Sequence, residues 1–192
     1  MITSDELLSD RALPVSATFI GGGVISFELG HLYARAGIKV MILEALPQLL
    51  PAVVATYEGD IVGRNIVEGS KHGPNYEGMA TAVYTVPALA AVGLTEAAPT
   101  QKELAVDVPV NDMLGRFSAK TDAETVAWSK IIVDRPTDRI VGAHFVDRQG
   151  QELINVFGLT IKFGITAHQL KDHVYAYPTF SADINHMFAH TA

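Results

Sequence analysis

Apolar positions along the chain change their period several times, and each change marks an element. Ala17 to Ile20 are a short apolar run that ends in Gly21, Gly22 and Gly23, the pattern of a buried strand entering a tight turn. From Val24 the spacing becomes helical, with Ile25, Leu29, Leu32, Tyr33 and Ala36 on one expected face. Gly37 stops that helix, and Lys39 to Leu43 make a second apolar strand. The whole reads as a β-α-β unit. Its strands are apolar on both faces, and parallel strands of that kind need cover on both sides. Upstream, Ser4 before Asp5, Glu6, Leu7 and Leu8 is placed to cap one short helical turn.

Residues 45–56 contain Pro47 and Pro51 and hold no period, so they read as a linker. Glu58 to Glu68 read as a short helix with Ile61, Ile66 and Val67 apolar, ended by Gly69, and Lys71 to Gly78 as a loop. From Ala80 the pattern is strand-like: Val83 to Val86 and Ala90 to Val92 flank Pro87. Thr125 to Val133 and Arg139 to Val146 form a hairpin around Pro136-Thr137-Asp138. Gln151 to Phe163 then read as a helix with Leu153, Ile154, Phe157 and Ile161 on its apolar face. A helix over Ala167 to Lys171 follows Gly164, and a helical tail over Phe180 to His190 follows Tyr177-Pro178-Thr179. The expected organisation is an α/β unit over 1–50, a linker and helix over 51–79, and an α+β part over 80–192.

Composition narrows the function classes. Of 192 residues 48% are hydrophobic and 18% charged, enough for an ordinary buried core. No apolar run approaches the length of a bilayer span. The first ten residues carry acids and no basic cluster, so no signal peptide is read and the cytoplasm is the expected location. Net charge is −7 with Lys and Arg scattered, which argues against a nucleic-acid surface. The chain contains no cysteine, which removes disulfides, thiolate metal sites and every thiol mechanism at once. His186 and His190 stand four apart, near Asp183, but no third ligand is spaced to join them. They read as a solvated helix face, His168 and His173 as ordinary loop or helix-end residues, and no metal site is expected.

The strongest local chemistry is Gly21-Gly22-Gly23-Val24-Ile25-Ser26 between a strand and a helix. In a dinucleotide site the first glycine makes the turn, and Gly23 lets backbone approach a pyrophosphate at the positive end of the helix. The third position needs a small residue, and here it is Ser26. Glu44 ends the second strand about 20 residues on, where a carboxylate accepts hydrogen bonds from an adenosine ribose and repels a 2′-phosphate. The bland alternative is a glycine-rich turn with no ligand. The strand, helix, second strand and terminal acid together favour descent from an NAD site, with present-day binding weak.

Leu13-Pro14 leading to Phe19-Ile20-Gly21-Gly22-Gly23-Val24-Ile25-Ser26-Phe27-Glu28 resembles the start of the NAD domain in pyridine nucleotide-disulfide oxidoreductases, the family of dihydrolipoamide dehydrogenase, mercuric reductase and glutathione reductase. The second half is similar to that family's interface domain. The similarity lies in Tyr84 to Glu96, Lys130 to Asp134, Ile140 to His144, Glu152-Leu153-Ile154 and Tyr177-Pro178-Thr179, where the family has His-Pro-Thr. The resemblance implies a truncated Rossmann-like β-α-β unit followed by an antiparallel-sheet dimerisation domain with helices. It also implies a homodimer held through residues 80–192, and a contact of Glu28 with the nicotinamide end of NAD.

The departures from the family matter as much. FAD is expected for the family, yet no flavin fingerprint precedes the NAD-like unit, and the Gly-Asp of the second flavin motif is missing near Pro51 to Gly59. The redox cysteine pair is absent. Tyr177 stands at the family's catalytic His, and the partner acid falls at Ala182 with Asp183 beside it. A phenol is a poor base at neutral pH. No catalytic residue is therefore assigned. The leading expectation is a non-catalytic homodimerising module with a vestigial NAD motif. The alternatives are an oxidoreductase component working with a separate FAD-containing subunit, or a deletion product without a function of its own.

Overall fold

The computed structural model describes residues 2–9, 12–44, 55–97 and 104–188, in which the chain forms two compact units. One consists of Met1–Ala52 with Val83–Thr85; the other consists of Val53–Ala82 and Val86–Ala192.

In the first unit α1 (Ser4–Ser9) precedes β1 (Ser16–Ile20), α2 (Val24–Arg35) and β2 (Lys39–Leu43). The cap of α1 is Thr3, one residue before the expected Ser4. The Thr3 hydroxyl accepts the Glu6 N–H at 3.3 Å, and the Glu6 carboxylate accepts the Thr3 N–H at 2.7 Å, a reciprocal capping box. The Thr3 N–H and the Thr3 hydroxyl, both donating to the Glu6 carboxylate, hold its carboxyl below its ordinary value. Strands β1 and β2 pair in parallel, Ser16 opposite Lys39 through Ile20 opposite Leu43.

Helix α2 packs on that pair through part of the face its apolar spacing predicts, with Leu29 and Tyr33 half-buried. Ile25, Leu32 and Ala36 are exposed, and the buried position is Gly30. A Cβ built at Gly30 would lie 3.3 Å from Val40 Cγ1 and 3.7 Å from both Ile42 Cδ1 and Phe19 Cε2. The helix sits so close that a side chain here would press on Val40, and Tyr33 one turn later closes on Phe19 with ring centroids 6.0 Å apart. The strands follow strict alternation. Ala17, Phe19, Val40 and Ile42 are half-buried towards α2, while Ile20, Met41 and Leu43 on the other face are 71%, 52% and 51% exposed.

The second unit begins with α3 (Ala55–Glu68), three residues ahead of the expected start, and Gly69 ends it at φ +81°. The rest of the expected linker, 45–54, lies outside the described residues. A six-stranded sheet follows: β3 (Ala80–Val83), β4 (Ala88–Gly93), β5 (Val106–Asp107), β6 (Val110–Asp112), β7 (Trp128–Asp134) and β8 (Arg139–Asp147). The strand order is β3-β4-β8-β7-β5, with β6 also pairing β7. Helices α4 (Phe117–Thr121), α5 (Gly150–Phe163) and α6 (Ala167–Asp172) and a 3-10 turn (Phe180–His186) complete it. The expected helical tail is therefore a tighter turn that stops at His186, with residues 189–192 outside the described part.

The β7–β8 hairpin forms as expected, turning where Asp134 faces Arg139 and Asp138 takes φ +56°. The Asp138 carbonyl accepts the Ala167 N–H at 2.8 Å and its carboxylate accepts the His168 N–H at 2.9 Å, so the hairpin loop holds the start of α6. Strands β5 and β6 and helix α4 were not expected. They are too short for a period to show, and tertiary bonds place them: Ile131 N–H to Pro109 O at 3.1 Å, Met113 N–H to Ala127 O at 2.9 Å, and Asn111 Nδ2 to Met187 O at 2.8 Å.

The core lies between α5 and the strands β4, β7 and β8. Ile131, Ala143, Phe157 and Ile184 are fully buried, and the Phe145 and Phe157 rings meet edge-on at 5.1 Å. Phe157→Ala is expected to destabilise the chain by about 3–5 kcal/mol, because a cavity opens where α5 meets the sheet. Equilibrium denaturation of the full chain checks this, and a loss below about 1 kcal/mol would contradict the packing described.

Candidate functional site

The sequence-predicted residues gather at the carboxyl ends of β1 and β2. Because β1 stops at Ile20 and α2 starts at Val24, Gly21 to Gly23 make the whole connection. Gly21 takes φ +102°, which a side chain would oppose, and its N–H donates to the Leu43 carbonyl at 2.7 Å. Gly23 is the N-cap of α2 in extended geometry, with no side-chain cap and no acidic residue in the first turn. The first N–H groups of the helix therefore present their positive end to an incoming anion. A Cβ at Gly21 or at Gly23 would meet no heavy atom within 4 Å, so the backbone of the loop is open to close approach. Val24 is half-buried and Ile25 exposed beside it.

Two carboxylates complete the arrangement. Glu44 follows β2 directly and accepts the Gly22 N–H at 2.5 Å, which fixes its negative charge against the glycine loop. Glu28, one turn into α2, accepts the Tyr84 backbone N–H at 3.0 Å and so ties the Val83–Thr85 segment of this unit to the helix. The donors and spaces fit an adenosine pyrophosphate: open glycine backbone, an uncapped helix start and an acid at the strand end. Among the described residues three consecutive glycines join a strand to a helix only here.

The other predicted position, Tyr177, belongs to the second unit. It is 74% exposed, joined to Pro178 by a cis peptide bond, and its ring lies 5.9 Å from that of Phe117. Thr179 caps the following turn by accepting the Ala182 N–H at 3.2 Å. Asp183 accepts a hydrogen bond from the Ser118 hydroxyl. Tyr177, and Asp183 beside the Ala182 position, thus both touch α4, an element with no signal in the local sequence.

Asp147, at the end of β8, is the buried acid of this region, 7% exposed and accepting the Gln149 N–H at 2.8 Å. Burial pushes its carboxyl upward; the Gln149 bond opposes this, and the nearby Glu124, Asp183 and Asp122 carboxylates add to it. Arg148 lies 3.8 Å from Asp122 and 3.7 Å from Glu124. Burial also raises the Tyr175 phenol to about 12, and its hydroxyl donates to the Leu170 carbonyl at 2.9 Å. His186 lies in the 3-10 turn and His190 outside the described residues. Among the described residues no three His, Asp or Glu side chains converge as metal ligands.

The family described as pyridine nucleotide-disulphide oxidoreductase, dimerisation domain, matches residues 79–188, and the pyridine nucleotide-disulphide oxidoreductase family matches residues 1–65. An uncharacterised 19.7 kDa protein in a mercuric resistance operon of Staphylococcus aureus is 35% identical over 134 residues, covering 70% of this chain and 74% of that protein. A dihydrolipoyl dehydrogenase of Chlorobaculum tepidum is 23% identical over 292 positions, covering 96% of this chain and 62% of the relative. That alignment is longer than the chain itself and so contains gaps. Among solved structures, the HOCl-induced flavoprotein disulfide reductase of Escherichia coli shares the fold with a TM-score of 0.76 at 18% identity, over 95% of this chain and 66% of that one.

The raised carboxyl of Asp147 predicts a pH dependence. A folded-state value above the unfolded one makes ionisation costly to the fold. The neutral form is favoured at low pH, and stability is lost as pH rises from the ordinary carboxylate range, about 4, through the raised value. Asp147→Asn keeps an acceptor for Gln149 and removes the charge. It should raise the melting midpoint at pH 7, with the gain vanishing as pH falls to about 3.5. A variant less stable than the parent at pH 7 would overturn the assignment.

Proposed function

Because the chain belongs to the pyridine nucleotide-disulphide oxidoreductase family, we propose that it is a homodimerising module of that family, without disulfide reductase activity of its own, carrying a weak NAD site at Gly21 to Ile25 with Glu44. The observation that carries the reading is the contrast between its two halves. The dimerisation-domain match spans 79–188, and α5 there packs a buried core against the sheet. The catalytic equipment has no such completeness: the sequence holds no cysteine, and an exposed Tyr177 stands where the family resemblance places its base.

A second reading has its own observation. The outer face of β1 and β2, with Ile20, Met41 and Leu43 exposed, is the face that a fuller parallel sheet covers with further helices. A separate FAD-containing subunit that supplied this cover would make the chain an oxidoreductase component. Copurified flavin colour distinguishes the readings: a yellow complex favours the component, a colourless protein the module.

Sedimentation at low micromolar concentration should report a dimer whose melting midpoint rises with protein concentration, since obligate interfaces bury about 2,000 Å² or more. A monomer with concentration-independent melting would overturn the dimer. Incubated with NADH, added FAD and either lipoamide or glutathione disulfide, the chain should show no turnover above blank; disulfide-dependent NADH oxidation would refute the non-catalytic reading. NAD should outcompete NADP, because a 2′-phosphate meets the Glu44 carboxylate held at Gly22. Tighter binding of NADP in a calorimetric titration would remove Glu44 from the site.

A further inference from the structure

We propose that the second unit carries a small-molecule site of its own, where β5, the β7–β8 hairpin and α6 meet, and that it takes an amino acid with an apolar side chain, held by its ammonium and carboxylate ends. A cavity of about 210 Å³ opens there, and its lining residues all belong to this unit. Pockets for drug-sized ligands run to about 300–1,000 Å³, so this one selects a smaller occupant. Part of its lining is an apolar floor. Pro109, Val133 and Ala167 are buried, and Phe188 is half-buried.

The polar lining carries both signs of charge, graded by exposure. Asp107 and Asp138 are half-buried, while His168 and Lys171 are exposed. Each acid keeps one oxygen unused. Arg135 Nε donates to Asp107 Oδ1 at 2.6 Å, and the His168 N–H donates to Asp138 Oδ2 at 2.9 Å; among the described residues neither second oxygen takes a hydrogen bond. The His168 ring turns to Asp172, with Nε2 at 3.1 Å from Oδ2. Lys171 is the lining cation left over, since it forms no ion pair among the described residues. An ammonium therefore suits the two free carboxylate oxygens, and a carboxylate suits Lys171. A branched alkyl group attached to both is left for the floor. An acid without an amine would bring a third negative charge to the two already present, and like charges at such range repel.

Heteronuclear NMR titration of the full chain with leucine, isoamylamine, isocaproate and glycine tests this. Leucine should bind with a dissociation constant of about 1–10 mM and shift the amide signals of Asp107, Asp138, His168 and Lys171. Isoamylamine, which lacks the carboxylate, should bind about threefold more weakly, because an exposed ion pair at Lys171 contributes little. Isocaproate, which lacks the ammonium, should bind at least about tenfold more weakly, since hydrogen bonds to charged groups are the stronger kind. Glycine, with nothing to lay on the floor, should also lose at least about tenfold. Lys171→Gln, at an exposed helix position, should bring leucine down to the affinity of isoamylamine and leave isoamylamine unchanged. Isocaproate or glycine binding as tightly as leucine would overturn the inference, as would undiminished leucine binding in Lys171→Gln. So would the absence of saturable shifts at about 50 mM leucine.

Discussion

Helix α5 lying on β4 and β8 is the contact on which most of the second unit depends. Phe157 has no exposure and meets Phe145 from β8 edge-on, with Leu153 and Ile154 buried beside it. Aromatic rings at this spacing add attraction beyond the area they remove from water. Once the sheet is held flat against α5, β7 completes the hairpin with β8, and its far edge gathers the short strands β5 and β6. The 3-10 turn then finds a place through Ile184 in the same core and through the Asn111 bond to Met187. The position of Tyr177 is a consequence of that packing.

The first unit is built on a narrower base. A parallel pair of strands with one helix can bury one face only, and Gly30 lets α2 approach close enough to bury it. The other face, with Ile20, Met41 and Leu43 beside Ser16, Thr18 and Lys39, stays exposed. The same economy shapes the site: the loop, the helix start and Glu44 need just one β-α-β unit, whereas an enclosed pocket needs more sheet.

The two halves differ in how the family's features are kept. Backbone chemistry persists where it is local, as in the Gly21 turn and the cap that Thr179 gives the last turn. Side-chain chemistry has been drawn into structural work. Glu28 secures Tyr84, Asp183 takes the Ser118 hydroxyl, and the ring of Tyr177 rests on Phe117. Each of these contacts is made within its own unit.

The sequence by itself determined what depends on neighbours along the chain. The β-α-β unit, the glycine turn with its terminal acid, the β7–β8 hairpin and α5 are all encoded in local periods, breakers and turn residues. So was the family, because its motifs are contiguous strings. Only the tertiary structure decided the rest. The packing face of α2 turns on Gly30, a residue without a hydrophobic signal, because closeness rather than apolarity set the contact. Strands β5 and β6 and helix α4 are two to five residues long, and distant partners hold them. The last turn tightened into a 3-10 form within the core. The bonds that engage Glu28 and Asp183 join residues 56 and 65 positions apart, a separation that no local pattern can register.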